Sequence, residues 1–399
     1  MEIHSRLGIR PCINAAGLLT RLGGGRLPSE VVAAMAEAAQ ASVDMAELHA
    51  RACAVIAECT GAEAGLVTSG AAAALTLGTA ACLAGLDVAR MERLPSTAGM
   101  PNEVLMWRMH RTGYDHAIRA AGATIRDLGF NDRGIGAGVR SVEAWEFEAA
   151  ITPETVAIAY TANPANQPPL SEIGKLAARC RLPLIVDAAA QLPPRENLRR
   201  FIAEGASLVA FSGGKAIRGP QSTGILCGRK DLIASAALQM LDMDVAPESW
   251  APPDGFLPRG ERRGIPHHGL GRGFKVGKEE IAGLIVALQR FVRMDPDTEV
   301  AAWEQQLAHI AEALAGTPHI TVRIVPASET GRFPLLELAL KESLLGRTAW
   351  DISRDMRRGD PPIHLHERHA GEGILTVNPV ALEEGEADIL SARLKSILR

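Results

Sequence analysis

The most informative stretch of the sequence is SLVAFSGGKAIRGPQSTGILCGRKDLI, from Ser207 to Ile233. It reads as an apolar strand, a Gly-Gly-Lys turn, and a second strand after a Gly-Pro turn. Lys215 follows the first strand directly and is flanked by Gly213 and Gly214. An amine in such surroundings has room beside it for a flat cofactor and can be desolvated enough to act as nucleophile and base. A lone loop lysine is usually only solvated, so this interpretation depends on the strands upstream.

An acidic residue ends one of those upstream strands. In residues 182–192, LPLIVDAAAQL, Asp187 follows a run of apolar residues and precedes small alanines. Burying a carboxylate is costly unless it meets a cation or a hydrogen-bond donor, and a protonated pyridine nitrogen would serve. Ala189 could then lie flat under the pyridine ring. The alternative is an Asp that caps a strand-to-helix junction.

A phosphate-binding turn is indicated further upstream, in residues 67–75, VTSGAAAAL. A strand that ends at Thr68 and a helix that starts near Gly70 leave free N–H groups and a positive helix dipole. Ser69, Gly70 and Ala71 are the candidates for a phosphate cup, which Ser212 could also reach. A simple tight turn is the alternative. The chain order of cup, Asp187 and lysine predicts pyridoxal 5'-phosphate (PLP), held as a Schiff base on Lys215.

The arrangement around these motifs indicates an α/β protein. Apolar strands alternate with helices from Ala64 onward, which predicts a mostly parallel, doubly wound sheet. A helix capped by Ser29 is expected to run into the fifties, and residues 247–273 are expected to form a long functional loop. The predicted organisation is an N-terminal arm (1–25), a PLP-binding large domain (26–290) and a small C-terminal α+β domain (291–399).

Composition excludes several classes of protein. The chain has 399 residues, 47% of them hydrophobic, and a formal net charge of -4 with the two signs mixed, so no nucleic-acid partner is expected. The N-terminus lacks the pattern of a signal peptide, and no apolar run is long enough to span a membrane. Six cysteines without a CxxC pair favour reduced thiols. The expected compartment is the cytoplasm.

Several motifs together resemble a known family, the selenocysteine synthase and D-glucosaminate-6-phosphate ammonia-lyase group of fold-type I PLP enzymes, which have the aspartate-aminotransferase fold. The resemblance runs from about Ile13 to about Leu284. It rests on INAAGLLTRLGGGRLP, ASVDMAELHARACAVIAECTGAEAGLVTSGAAAAL, HRTGYDHAIRAAGA, the Lys215 stretch and GLGRGFKVGKEEIAGL.

The resemblance assigns roles to particular residues. It implies that Lys215 carries the Schiff base and that Asp187 contacts the ring nitrogen. Basic residues matching Arg26, Arg272 and Lys275 are implied to bind an anionic group of the substrate. The fold also implies a homodimer or a higher homo-oligomer.

The histidines are weaker candidates. In HRTGYDHAI, where this fold commonly supplies a side chain that stacks on the PLP ring, His116 is the first choice, although a core or surface role is common for histidine. His267 and His268, in the glycine-rich loop, are candidates for the active site, and His268 is preferred as a substrate contact. The IHLHERH run places His364 and His366 on one face of a strand, but no third ligand is evident and no metal site is predicted.

The resemblance implies a lyase that eliminates water from a hydroxylated, anionic amino acid and then releases ammonia as the enamine is hydrolysed, which leaves a 2-oxo acid. The same apparatus could support a racemase, an aminotransferase or an aldolase, because the position of the cofactor does not decide which bond breaks. A tRNA-linked selenium transferase is a further alternative. The INAAG motif already begins at Ile13, so a preceding tRNA-binding domain is not expected.

Overall fold

The computed structural model describes residues 3–130, 142–164, 166–253, 255–257 and 264–398. The chain divides into two compact units, Leu27–Val292 and a second unit that joins Met1–Arg26 to Arg293–Arg399. The second unit begins with α1 (Ile3–Arg6) and β1 (Ile13–Ala15). The segment predicted as an irregular arm therefore contributes a strand to the C-terminal unit.

The Leu27–Val292 unit is built around one sheet. Its described strands are β2 (Ala64–Thr68), β3 (Glu103–Trp107), β4 (Thr124–Leu128), β5 (Thr155–Thr161), β6 (Leu184–Asp187), β7 (Leu208–Ser212) and β8 (Gly224–Gly228). Its described helices are α2 (Ser29–Ala39), α3 (Met45–Thr60), α4 (Ala71–Ala84), α5 (Val88–Arg93), α6 (His116–Ala120), α7 (Ala144–Ala150), α8 (Leu170–Cys180), α9 (Asn197–Ala203), α10 (Lys230–Met240) and α11 (Lys278–Arg293).

The strand order of this sheet is β2-β8-β7-β6-β5-β3-β4, and β8 runs antiparallel to both of its neighbours. The remaining pairs are parallel. Separate hydrophobic clusters cover the two faces, one containing Val67 and Val186 and the other Leu66 and Ile185. Strands buried on both faces read as continuous apolar runs, which is why the sequence reveals them. The predicted α/β class with a mostly parallel sheet is confirmed.

Helix α4 packs tightly on one face of this sheet. It is apolar all round, and 11 of its 14 residues are buried, as expected of a helix enclosed by other elements. Small side chains allow the close approach. A Cβ at Gly78 would lie 3.2 Å from Leu208 and 3.3 Å from Leu226. The alanine-rich sequence thus fixes the distance between helix and sheet.

The helix expected from Ser29 into the fifties is two helices. The first, α2, ends at Ala39, and Ser29 is its first residue instead of its cap, because Pro28 occupies the N-cap position. The second, α3, begins after Asp44, whose carboxylate accepts hydrogen bonds from Ala46 N at 2.8 Å and Glu47 N at 3.1 Å. An Asp that satisfies two free N–H groups marks the start of a new helix. The single long helix predicted from the sequence did not take Asp44 into account.

The second unit is α+β, as predicted for the C-terminal part of the chain. Its remaining strands are β9 (Ile320–Val325), β10 (Leu335–Leu340), β11 (Ile363–Leu365) and β12 (Ile374–Val377), and its helices are α12 (Pro296–Ala313), α13 (Ala327–Thr330), α14 (Glu342–Leu345), α15 (Ala349–Arg358) and α16 (Glu386–Ile397). An antiparallel sheet has the order β12-β10-β9, and β1 pairs in parallel with β11. None of the described helices in either unit is both long and apolar enough to cross a bilayer.

Contact between α3 and β2 gives a test of this packing. A Cβ at Gly65 would lie 2.2 Å from Cγ2 of Ile56, which is fully buried. We expect Gly65→Ala to lower the free energy of unfolding by about 1–3 kcal/mol, the usual cost of overpacking a core. Urea unfolding measures this change. Gly273→Ala is the control, because no atom lies within 4 Å of its Cβ position. Equal stability of the two variants would contradict the described packing.

Candidate active site

The candidate residues lie along one edge of the large sheet. Register pairs Thr68 with Gly224 and Gly224 with Ser212, so β8 lies between the end of β2 and the end of β7. On the next strand, Asp187 pairs with Ala210. Neighbouring strands are about 4.8 Å apart, so the phosphate-cup turn, Ser212 and Asp187 follow one another across adjacent strand ends. The carboxyl edge of such a sheet is where ligands of α/β proteins bind.

The predicted phosphate cup is an open helix N-terminus. Gly70 is the N-cap of α4 and has a φ of 104°, a left-handed conformation that favours glycine. The first intrahelical bond is donated by Ala74 N to Gly70 O at 3.0 Å, so the amides of residues 71–73 precede it. No atom lies within 4 Å of a Cβ built on Gly70. Free amides, a dipole and open space suit a phosphate.

The turn at Gly70 is held by β8. A Cβ at Gly224 would lie 2.3 Å from the carbonyl carbon of Gly70 and 2.6 Å from Ala71 N. Only a glycine permits this approach of backbone to backbone. The strand that leaves the lysine loop therefore contacts the phosphate cup directly, a relation that the QSTG sequence alone did not reveal.

The loop that carries Lys215 is similarly compact. It connects β7 to β8. The Gly213 N–H donates to Thr223 O at 2.9 Å, and Gly213 O accepts a hydrogen bond from the Gly219 N–H at 2.9 Å. A Cβ at Gly213 would lie 2.2 Å from Oγ1 of Thr223, so the glycines flanking the lysine serve the folding of the loop. Lys215 itself is partly buried. The packing of this short loop fixes where the lysine leaves the sheet.

Asp187 and Lys215 interact electrostatically. Burial raises the pKa of Asp187, while a hydrogen bond from the N–H of Ala189 and the positive charge of Lys215 act to lower it. The Ala189 N–H donates to Oδ1 of Asp187 at 3.0 Å. Because the net shift of the Asp187 pKa is upward, the hydrogen bond and the lysine charge do not fully offset the cost of burying the charged carboxylate. A cation brought to Asp187 would supply what is missing.

A cavity adjoins Asp187, and its lining includes Tyr114, a residue of the HRTGYDHAI stretch for which no role was predicted from the sequence. Tyr114 and Thr112, from the turns after β3, line this cavity together with Asp187 and Leu75. Tyr114 is an exposed aromatic residue. The HRTGYDHAI stretch contributes Thr112, Tyr114 and Asp115 to the lining of this cavity.

The two histidines of that stretch lie elsewhere. His116 is exposed, and its Nδ1 is 3.1 Å from an Arg119 nitrogen. His110 is buried edge-on between Trp107 and Tyr160, and burial lowers its pKa to about 4. His110 therefore stays neutral in the core near pH 7. Neither ring is among the residues that line the cavity.

Ion pairs support the same turns. Arg111 pairs with Asp115 and, at 2.7 Å, with Asp127. Arg119 also contacts Asp115, at 3.4 Å, and the Asp115 side chain is buried at the wall of the cavity. Paired charges at the ends of β3 and β4 hold the Tyr114 turn in place.

The predicted anion-binding residues lie apart from this cavity. Arg272 pairs with Asp242 at 2.6 Å, and His268 lies 3.3 Å from Asp244. Asp242, Asp244 and His268 are close enough to offer atoms to one cation, but the Arg272 guanidinium already compensates Asp242. Lys275 is exposed. None of these residues is among those described as lining the cavity at Asp187.

Arg26 belongs to the second unit. Its guanidinium pairs with Glu386 at 3.1 Å and approaches Glu383 at 4.0 Å. These partners are both at or just before the start of α16. Binding of a substrate anion by Arg26 stays a prediction.

The residues present fit PLP. The open amides at α4 match its phosphate, the undercompensated Asp187 matches a protonated ring nitrogen, and the Lys215 amine matches its aldehyde. Each of these three matches rests on the described geometry and on the chemistry of the side chain.

Comparison with known proteins gives the class. The family model described as "Aminotransferase class-V" matches residues 33–242. The chain therefore belongs to this family of PLP-dependent enzymes, which have the fold-type I architecture. It is 31% identical to the D-glucosaminate-6-phosphate ammonia lyase of Salmonella typhimurium (strain 14028s / SGSC 2262), with 99% of this chain and 98% of the relative covered. A solved structure of D-glucosaminate-6-phosphate ammonia-lyase is also similar, with a TM-score of 0.82, 29% identity, and coverage of 100% and 98%.

Two other kinds of relative have different names. A 5'-C-glycyluridine monooxygenase-decarboxylase from Streptomyces sp is 30% identical, with 99% of this chain and 92% of the relative covered. An L-seryl-tRNA(Sec) selenium transferase from Solidesulfovibrio magneticus (strain ATCC 700980 / DSM 13731 / RS-1) is 28% identical over 58% of this chain and 51% of its own length. The resemblance inferred from the motifs is thus confirmed. The family includes more than one chemistry.

The raised pKa of Asp187 predicts how stability depends on pH. In the folded cofactor-free protein, this carboxyl keeps its proton to a higher pH than in the unfolded chain. Its contribution to stability is therefore complete below the unfolded pKa, about 4, and is lost as the pH rises through the folded pKa. We expect cofactor-free Asp187→Asn to melt above the wild type at neutral and higher pH, with the difference shrinking towards about pH 4.

Thermal melts across this pH range measure the effect. The exposed Asp244→Asn is the control, since the carboxylate there already faces solvent. A difference between Asp187→Asn and the wild type that stays constant with pH would contradict the assigned burial of the carboxylate.

Proposed function

We propose that this chain is a PLP-dependent ammonia-lyase acting on a hydroxylated, anionic amino acid, such as an amino sugar acid resembling D-glucosaminate 6-phosphate. The β-hydroxyl leaves as water and a water molecule then hydrolyses the resulting enamine, so that ammonia and a 2-oxo acid are the net products. The observation that carries the proposal is the combination of an intact PLP edge, from Gly70 to Asp187 and Lys215, with full-length similarity to an enzyme of that name.

PLP, when bound, supplies a ring that withdraws electrons from the substrate α-carbon. The residues of this chain provide the rest. The amides at the start of α4 bind the phosphate, and Asp187 holds a proton at the ring nitrogen. Ser212, at the end of β7, lies next to Gly224 and so beside the cup, where a hydroxyl can donate to the same phosphate. Ala189 follows Asp187 closely enough to pack under the ring.

Proton transfer is the proposed task of Lys215. Its amine lies near enough to Asp187 to lower the pKa of that carboxyl, and its loop is short and packed. A lysine so placed can take the α-proton of the substrate and return a proton to the departing β-hydroxyl. Partial burial keeps bulk water from competing for that proton.

Several further roles and properties stay predictions. A stacking role for His116, substrate binding by Arg26, His268, Arg272 and Lys275, a homodimer or larger homo-oligomer, and a cytoplasmic location are part of the proposal. Tyr114 is a better-placed stacking candidate than His116, because it lines the cavity beside Asp187.

Removal of Lys215 tests the attachment of PLP. We expect purified enzyme to be yellow with bound PLP and Lys215→Ala to lose both the covalent link to PLP and at least about 10³-fold of activity, since one residue serves as nucleophile and base. Absorbance and mass spectrometry after borohydride reduction report the link without requiring turnover. Lys175→Ala, on the exposed surface of α8, is the control and should stay yellow. A PLP-modified lysine other than Lys215 in the wild type would overturn the assignment.

The reaction itself is tested with separate substrates and no oxo-acid acceptor. We expect D-glucosaminate 6-phosphate, or a simpler β-hydroxy amino acid, to give ammonia and 2-oxo acid in equal amounts. Ammonia assay, oxo-acid derivatisation and an oxygen electrode should be read in parallel. Turnover only with an added acceptor would indicate an aminotransferase, and inversion without ammonia a racemase. Oxygen uptake with loss of carbon dioxide would indicate the chemistry named for the Streptomyces relative. Each of these results would reject the lyase.

A further inference from the structure

A group of basic side chains in the second unit has no role in the chemistry above. We call it the His364 cluster: it consists of Arg21, Arg357, His364, His366 and Arg368. Strand β11 turns Ile363 and Leu365 into the hydrophobic core, where they are 0% and 1% exposed. Because successive side chains of a strand point to opposite faces, His364 lies on the face away from that core. The alternation in IHLHERH thus places His364 and His366 on the same face.

Asn14 positions the N-terminal part of the cluster. It pairs with His364 in the parallel register of β1 and β11. Its side-chain amide donates to Gly17 O at 2.9 Å and Gly24 O at 3.1 Å, which ties together the two ends of the glycine-rich loop. Arg21 lies in a 3-10 turn, Thr20–Leu22, within this loop. A buried asparagine on β1 therefore holds the loop that carries Arg21 beside β11.

Positive charge in the cluster is only partly compensated. Glu367 is 3.4 Å from Arg357 and accepts a hydrogen bond from Ser353 at 2.6 Å. Neither Arg21 nor Arg368 forms an ion pair with any carboxylate in the described part of the chain. Like charges gathered in this way repel one another unless an anion joins them.

His364 also has an unsatisfied atom. Its Nδ1 is shielded from solvent and has no hydrogen-bond partner among the described residues. A buried polar nitrogen without a partner costs about 1–3 kcal/mol, and a nearby acceptor would recover that cost. Two observations, the uncompensated arginines and the unpartnered ring nitrogen, therefore point to the same kind of missing group.

We propose that the His364 cluster binds a tetrahedral dianion of the phosphate monoester class. Guanidinium groups match such oxygens in charge and geometry, and the imidazoles can each donate once they are protonated. A metal ion does not fit, because the surrounding arginines would repel it. That the dianion is the phosphate of the substrate rests on the proposed function; a free oxyanion is the other source of the same chemistry.

Proton uptake should accompany binding. Burial first, then Arg21 and Arg357, lower the pKa of His364, against the opposing effect of Glu367. Burial, Arg368, His369 and Arg21 lower the pKa of His366, again opposed by Glu367. Both rings are thus neutral near pH 7, and an anion would raise their pKa values. A structural role for the cluster predicts no such coupling between anion and proton.

Sulfate is the probe, because it remains a dianion across neutral pH. We expect isothermal titration of the PLP-loaded enzyme to detect sulfate binding, with protons taken up when two buffers of different ionisation enthalpy are compared. Arg21→Ala should weaken binding about tenfold or more, the usual loss for one charged hydrogen bond. Arg21→Lys should weaken it less, and His364→Gln should reduce the proton uptake.

Arg354→Ala is the matched control. Arg354 is on α15, as Arg357 is, but it is exposed and pairs with Asp351. Sulfate binding that is absent in the wild type, unaffected by Arg21→Ala, or unaccompanied by proton uptake would overturn the proposal.

Kinetics separate the two sources of the dianion. If the site holds the substrate's phosphate, Arg21→Ala should raise KM for a phosphorylated amino acid and leave KM for its unphosphorylated form unchanged. If a free oxyanion is the ligand, both KM values should stay as in the wild type while sulfate binding is lost. Either result supports the site. Failure of the enzyme to release ammonia would reject the lyase but would leave the sulfate measurement valid.

Discussion

The chemistry proposed for the large unit depends on a partly buried carboxylate at the end of a strand. Asp187 keeps one backbone hydrogen bond and the attraction of Lys215, yet burial still raises its pKa. A fold that had only to be stable would replace this side chain with an apolar one. Its presence at the carboxyl edge, beside a cavity and a lysine loop, agrees with the proposed ligand, which brings a positive charge. The Asp187 carboxylate that costs stability is therefore the same group that is proposed to hold the cofactor ring.

Burial also determines which parts of the structure could be predicted from the sequence. Strands buried on both faces, such as β6 and β7, show as apolar runs, and the residues that follow them gave Asp187 and Lys215 directly. Side chains whose role depends on tertiary approach were not readable. Gly224 is informative only once β8 is known to contact the turn at Gly70, and Asp44 only once two helices are distinguished. Choosing between Tyr114 and His116 likewise required the path of the turns after β3.

The family resemblance and the local geometry constrain function to different degrees. Two relatives of nearly equal identity are named for quite different reactions, one as an ammonia lyase and the other as a monooxygenase-decarboxylase. Features away from the PLP edge must therefore carry the choice of substrate. Arg272 and His268, which are predicted to contact the substrate, lie beside Asp242 and Asp244. Uncompensated basic groups are found in the second unit, around His364.

The pairing of β1 with β11 has a consequence for synthesis of the chain. Ile13 is synthesised about 350 residues before its partner Ile363, at about 5–20 residues per second. The stretch Leu27–Val292 is continuous and can complete its sheet in the interval. Residues before it, with their apolar side chains, must wait exposed until the C-terminal unit emerges. During that interval β1 lacks its native partner β11, and its backbone N–H and C=O groups are open to pairing with other strands.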